Sequence, residues 1–182
     1  MTSKIDTLDT NLSKISKLKT SIRKLGFSAN EFNEITHSQN FEKALEQKVY
    51  EKLRNEMEGK CVGDGFILNK SLKLKKKSNI YFPLEALQLF YTLDVEFEFI
   101  ICNPNPGVRL NCRIVSKSKI GLVAKLESDL SPLLILIPND LYNTEKNSKE
   151  IKENDEISVE VTGKKFEQND KKITVIAKYI PE

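Results

Sequence analysis

A chain of 182 residues has room for one ordinary domain or two small ones, and with 39% hydrophobic and 30% charged residues its core is modest and its polar surface long. No apolar run is long enough to span a bilayer, and Ser3, Lys4, Asp6, Thr7 and Asp9 break up any apolar signal core at the N-terminus, which points to an intracellular protein without a membrane. A net charge of +3 is too small to announce nucleic-acid binding by itself, and three widely spaced cysteines (Cys61, Cys102, Cys112) make a poor disulfide framework.

Residues 1–26 read as a capped helix. Ser3 and Asp6 form a capping-box pattern, and Gly26 supplies the stop. Ile5, Leu8, Leu12, Ile15, Leu18, Ile22 and Leu25 make a narrow apolar stripe at three- and four-residue steps. Acidic Asp6 and Asp9 come early; Lys14, Lys17, Lys19, Arg23 and Lys24 come late, as the helix dipole favours. Such a stripe either packs on its own domain or pairs with a partner or a second copy. Residues 27–39 carry no dominant period, with Glu34–Thr36 as a candidate short strand. A second helix runs from Phe41 to Glu58. Asn40 is its N-cap, Gly59 its end, and Phe41, Leu45, Val49, Leu53 and Met57 form one face.

From Lys60 the period changes. Lys60–Leu68 and Leu72–Lys76 read as strands, and residues 77–90 as a long connection. Tyr91–Cys102 is the clearest strand: Tyr91, Leu93, Val95, Phe97, Phe99 and Ile101 alternate with a mostly polar set. Asn103-Pro104-Asn105-Pro106-Gly107 is a strong break and the expected domain boundary. Five short strands follow: Val108–Val115, Gly121–Leu126, Leu133–Ile137, Glu156–Thr162 and Lys172–Tyr179. Pro138–Tyr142 predicts a helical turn, residues 143–154 a charged loop, and Asn169-Asp170 the turn of a closing hairpin. Five strands of this kind fit an oligonucleotide-binding barrel.

Catalytic chemistry finds no material. His37 is the sole histidine and has no nucleophile or metal motif near it. Gly63-Asp64-Gly65 is too short for a phosphate loop. The three cysteines lack close pairing and a fourth ligand, so they read as buried small hydrophobes, with no metal and no cofactor implied. Asp94, Glu96 and Glu98 alternate along one strand and read as a solvated face. Two basic sets remain. Lys70, Lys73, Lys75, Lys76 and Lys77 either track phosphates or protect a sheet edge. Arg109, Arg113, Lys117, Lys119 and Lys125, with Lys164, Lys165, Lys171 and Lys172 around the last hairpin, ring the barrel. Aromatic stacking partners are thin: Phe166 and Tyr142 are the nearest. Any RNA binding is therefore expected to be electrostatic and weakly selective.

Several segments, in order, resemble one family. Glu58-Gly59-Lys60-Cys61-Val62-Gly63-Asp64-Gly65-Phe66-Ile67 follows a charged helix. Val95–Ile101 leads to Asn103-Pro104 and Gly107-Val108. Ser118-Lys119-Ile120-Gly121-Leu122 forms a glycine turn, and Ile151–Ile157 precedes the hairpin Val161–Asp170. Together these look like the stalk subunit of multisubunit DNA-directed RNA polymerases, of the archaeal type with its S1-like barrel. Ser131-Pro132 and Ile100–Gly107 are similar to divergent versions carried by large DNA viruses. The family opens with a strand before its helix, whereas here a helical extension is expected first.

The resemblance implies an α+β fold. Residues 1–40 would be a helical N-terminal extension, 41–103 a small polymerase-docking α/β domain at the stalk tip, and 104–182 a five-stranded OB-type β-barrel. It implies a non-catalytic subunit that docks on the polymerase core through Glu58, Gly59, Lys60, Cys61, Gly63 and Gly65 and pairs with a second stalk subunit. Arg109, Arg113, Lys117, Lys119, Lys165 and Phe166 would face nascent single-stranded RNA. The expected setting is a nucleus or a cytoplasmic viral replication site, with packaging in the virion. Two other classes fit the same residues: a stand-alone single-stranded RNA-binding barrel, and a structural adaptor that assembles through its first helix.

Overall fold

The computed structural model describes residues 9–82, 91–142 and 151–181. In chain order its elements are α1 (Thr10–Lys14), β1 (Ser16–Phe27), α2 (Ala29–Thr36), α3 (Phe41–Met57), β2 (Cys61–Val62), β3 (Gly65–Ile67), β4 (Lys73–Lys77), β5 (Tyr91–Cys102), β6 (Arg109–Ser118), β7 (Gly121–Lys125), β8 (Leu133–Pro138), α4 (Asn139–Tyr142), β9 (Glu156–Lys165) and β10 (Ile173–Ile180). The class is α+β with a closed five-stranded barrel. Contacts divide the chain into two compact units. One gathers Met1–Lys17, Gly59–Asn69 and Ile100–Glu182; the other gathers Leu18–Glu58 and Lys70–Phe99.

The first unit holds the barrel. Its strands alternate apolar and polar residues, so one face of each closes on a common interior. β8 is the plainest case: Leu133, Ile135 and Ile137 are buried, with half-buried Leu134, Leu136 and Pro138 between them. The strand order is β6-β7-β8-β10-β9, and β9 closes back on β6. Every pairing is antiparallel except β8 with β10, where Leu133 faces Ile173 and Leu136 faces Ile176. That order is consistent with the oligonucleotide-binding type of barrel. The interior is aliphatic, with Leu110, Ile114, Ile135 and Val175 among its members at 1% exposure or less. Each such side chain contributes about 1.5–3 kcal/mol when withdrawn from water.

Two features tie other segments to this barrel. The break before β6 is a fastened corner: the Lys164 ammonium bonds the Asn103 and Asn105 side-chain carbonyls, the latter at 3.2 Å, and the Gly107 N–H donates to Val161 O at 2.7 Å. The hairpin of β2 and β3 pairs Phe66 with Cys102 and Ile67 with Ile101. Its outer strand then meets the β9–β10 turn: Cys61 N–H donates to Asp170 O at 2.8 Å, and Asn169 N–H donates to Cys61 O at 2.9 Å.

In the second unit, α2 and α3 accompany a sheet in which β5 is neighbour to β1 and pairs antiparallel with β4. Leu45, Val49, Leu53 and Met57 on α3 are buried, as are Leu93, Val95, Phe97 and Phe99 on β5. α3 begins as expected, with Asn40 Oδ1 accepting from Lys43 N–H at 3.1 Å. Lys52 reaches Glu31 of α2 at 2.7 Å, and that hydrogen bond is the main cause holding the Glu31 carboxyl below the usual carboxylate range.

The expected helix over residues 1–26 is corrected. Its first eight residues, with the Ser3–Asp6 cap, lie outside the described residues. Of the rest, Thr10–Lys14 are helical, but Ser16–Phe27 form a strand. The stripe Ile15, Leu18, Ile22, Leu25 fits period 3.5 as well as a strand in which Leu18 and Ile22 share one face. As strand residues these two stay 47% and 70% exposed, while Leu25 and Phe27 are buried. Backbone pairing with β5 outweighs a stripe that had nothing to cover. Glu34–Thr36, a candidate strand, is helical instead. Its missed signal was the capping box of Ser28 and Glu31: the Ser28 N–H reaches the Glu31 carboxylate at 2.8 Å, and Ser28 Oγ accepts from the Glu31 N–H. The N-terminal region is thus strand and helices together, not a helical extension.

Candidate nucleic-acid interface

The outer wall of the barrel is framed by two turns. Gly121 pairs with Pro138, so the β6–β7 turn carrying Lys119 lies beside the C-terminal end of β8. Ile173 pairs with Leu133, so the β9–β10 turn carrying Lys171 and Lys172 lies beside its N-terminal end. Five steps along β8 separate these ends by about 17 Å. Between them the wall is aliphatic. Val123 sits beside Leu136, and Leu136 beside Ile176, which is 42% exposed; Val115, 48% exposed, comes from β6. Exposed Lys125 follows Val123 two residues on. This row was legible only as the unbroken apolar run Leu133–Ile137, which signals a strand that is apolar on both faces.

The residues expected to face RNA are not equivalent. Lys119 is exposed in its turn, whose backbone is pinned by Asn139: the Asn139 side-chain amide donates to Lys119 O and its N–H to Ile120 O at 3.2 Å. Lys165 is exposed at the end of β9. Arg113 is held by two carboxylates, Glu127 and Glu156, the latter at 2.9 Å. Arg109 is 72% exposed and lies 3.7 Å from Glu160, its cross-strand partner. Lys117 donates to Ile151 O at 3.3 Å. Phe166 is half-buried and packs on the barrel core, so its ring is largely committed to packing. Lys119, Lys125, Lys165, Lys171 and Lys172 are the exposed lysines of the barrel best placed to meet phosphates.

The lysine run of β4 is matched by acids. Lys73 faces Glu98 and Lys76 faces Glu96 across the ladder; Lys75 bonds Glu98 at 2.7 Å, and Lys77 bonds Glu42 and, at 3.5 Å, Glu46. Of the carboxylates expected to form a solvated face, Glu96 and Glu98 are therefore half of a cross-strand charge ladder, while Asp94 accepts from the Tyr81 hydroxyl at 3.1 Å.

The expected docking residues divide the same way. Glu58 closes α3 and its carboxylate accepts from Leu72 N–H at 3.2 Å. Gly59 has φ +67 and donates to Ile67 O at 3.0 Å. Lys60 is half-buried, and its carbonyl accepts from the Ile67 N–H at 3.0 Å. Cys61 is buried beneath the β9–β10 turn, and Gly65 is buried against β5. Gly63 alone of the six is exposed, at the hairpin tip, with open space around its Cα. The segment assigned to docking and the hairpin assigned to RNA are thus bonded to each other through Cys61.

All three cysteines are free and buried. Burial pushes the Cys61 thiol up to about 11, with the Asp170 charge adding to it, and the Cys102 and Cys112 thiols up to about 12. The folded pKa lies above the unfolded value near 9, so the unfolded chain releases these protons first as pH rises. The stability this represents is complete below pH 9 and is lost between about pH 9 and 12. At pH 8 a disulfide reagent is expected to titrate no thiol in the native protein over minutes and all three in denaturant; prompt reaction of the native protein would show an open thiol. Among the described residues no cluster of His, Cys, Asp and Glu is arranged to hold a metal ion.

Set against known proteins, the chain matches no family model and no curated protein.

Proposed function

We propose that this chain is a non-catalytic, stalk-like subunit of a multisubunit DNA-directed RNA polymerase. It docks on the polymerase core, pairs with a second stalk subunit and offers its barrel wall to nascent RNA. The observation that carries the reading is the order of its parts. β1 precedes α2 and α3, the glycine hairpin β2–β3 follows them, and a closed five-stranded barrel comes last. Ser16–Phe27 supplies a strand at the front of this order, where a helix was expected. The barrel wall between Lys119 and Lys171 supports weak, salt-sensitive contact with single-stranded RNA, since it carries lysines without aromatic platforms. Such a subunit works where the polymerase works, in a nucleus or a cytoplasmic viral replication site.

Gly63 is the position to test. A Cβ added there meets nothing within 4 Å, whereas one on Gly65 would lie 2.4 Å from Cys102 O. Gly63→Trp is expected to melt with the native protein yet lose the polymerase. The tagged full chain, purified from cells that make it, should bring down the large polymerase subunits in stoichiometric amounts by mass spectrometry. Their absence from the unsubstituted pull-down sinks the reading. The full chain is needed, because a fragment starting at residue 104 would lose the bonds of Cys61 to Asn169 and Asp170.

A further inference from the structure

The barrel is closed, so a partner meets its strands face-on and not by adding a strand. One part of the outer face is set apart by composition. β7, β8 and β10 carry no acidic residue, and their one ring, Tyr179, packs on the core. Two rows cross these strands on the outside. In the first, Val123 lies beside Leu136, Leu136 beside Ile176, and Ile176 beside Gly163, where an added Cβ would meet nothing within 4 Å. Ile176 is 42% exposed, and the bulge between Ile114 and Ser116 leaves Val115 48% exposed at the head of this row. In the second row, Leu134 lies beside Thr174, and Thr174 beside Lys165. The Ala124–Ile135 pair brings the next residue of β7, Lys125, to the other side of Leu134. Lys125 and Lys165 are both exposed and stand three strand spacings apart, about 14 Å around the wall. An aliphatic row thus runs beside a row with a cation at each end.

We propose that this face seats an acidic amphipathic helix of a partner protein, lying along β8. A helix with its side chains is about 10–12 Å across, so it fits between Lys125 and Lys165 with one flank against each. The length of wall between the two turns takes about eleven residues of helix, or three turns. Leucines at three- and four-residue steps then cover Leu136 and Ile176, and glutamates on the two flanks meet the lysines. Charge and chemistry select this occupant. Single-stranded RNA would meet the lysines but find aliphatic side chains where it needs rings. A second copy of the chain has no described helix to offer: α1 is five residues long, α2 buries Ile35, and α3 buries Leu45, Val49, Leu53 and Met57. The inference goes beyond the polymerase reading and does not need it. Where both hold, helix and RNA share Lys125 and Lys165 and exclude one another.

The test uses the full chain and a fluorescein-labelled, side-chain-stapled peptide three turns long, with leucines along one face and glutamates on both flanks. Anisotropy should report saturable, salt-sensitive binding, and a peptide of the same composition in scrambled order should not bind. The methyl resonances of Val123, Leu136 and Ile176 should shift on binding, and those of buried Leu93 and Val95 should not. Ile176→Lys separates this seat from attraction by charge alone. It adds a cation to the face and removes an aliphatic chain, so affinity should fall about tenfold, whereas a ligand held by charge would bind more tightly. The double variant Lys125→Glu, Lys165→Glu should lose about tenfold for the acidic peptide and take up the peptide with lysine in place of glutamate. An unfolded barrel would not make that exchange. The proposal is overturned by no binding of the acidic peptide, by equal binding of the scrambled one, or by tighter binding to Ile176→Lys. It is also overturned if oligouridylate shifts these methyls and the peptide does not, or if a dimer seen in light scattering buries them.

Discussion

Gly121→Ala is expected to lower the stability of the barrel by about 2–4 kcal/mol, a fall in melting temperature of roughly 10 °C for a chain of this size. Gly121 opens β7 with φ +152, a conformation that L side chains rarely adopt. An added Cβ would lie 2.2 Å from Ile137 O and 3.0 Å from the Pro138 Cα, both backbone atoms of the facing strand. Nothing flexible can move aside, so either the ladder of β7 on β8 opens or the turn carrying Lys119 shifts. Gly163→Ala is the control. It lies on β9, has no positive φ, and its Cβ would meet nothing within 4 Å. It should be neutral within about 0.5 kcal/mol. Equal melting of the two variants would remove the steric account of the β6–β7 turn.

Phe97→Ala is expected to cost the second unit about 3–5 kcal/mol, the usual loss for a fully buried ring. Phe97 is 0% exposed at the middle of β5, opposite Leu74 of β4, with Phe99 at a ring-centroid distance of 5.7 Å. Removing it leaves a cavity in a small core made by one sheet and two helices, which has few side chains to close it. Because Leu74 of β4 faces Phe97 across the ladder, β4 is the strand that should loosen with it. Hydrogen exchange should therefore accelerate over Lys73–Lys77 as well as over β5. A variant that melts within about 3 °C of the native protein, against the several degrees such a loss implies, would show that this core is filled by other side chains.

The candidate interface was only partly legible. Lys119, Lys125 and Lys165 were visible as charges near turns, and they stand exposed. Arg113 looked identical to them in sequence. Its two carboxylate partners, Glu127 and Glu156, come from elsewhere in the chain, and only the closed register brings them to it. The same holds for the lysines of β4, whose acids on β5 and α3 are distant along the chain. Cys61 read as a buried small residue, and it is one. That it would clasp the β9–β10 turn, at the far end of the chain, had no local signal.

Alternation alone determined β5 and the five barrel strands, because a period of two fixes which side chains share a face, and an apolar face must be covered. Composition and capping alone determined α3. For the N-terminal segment no local feature was decisive, since Leu18 and Ile22 satisfy helical and strand spacing alike. Its choice rests on hydrogen bonds to β5, far along the chain, and such pairing energy belongs to the assembled sheet, not to the segment. Which charges are neutralised and which stay open was likewise decided by register in the tertiary structure, because a one-residue shift in pairing would exchange every partner.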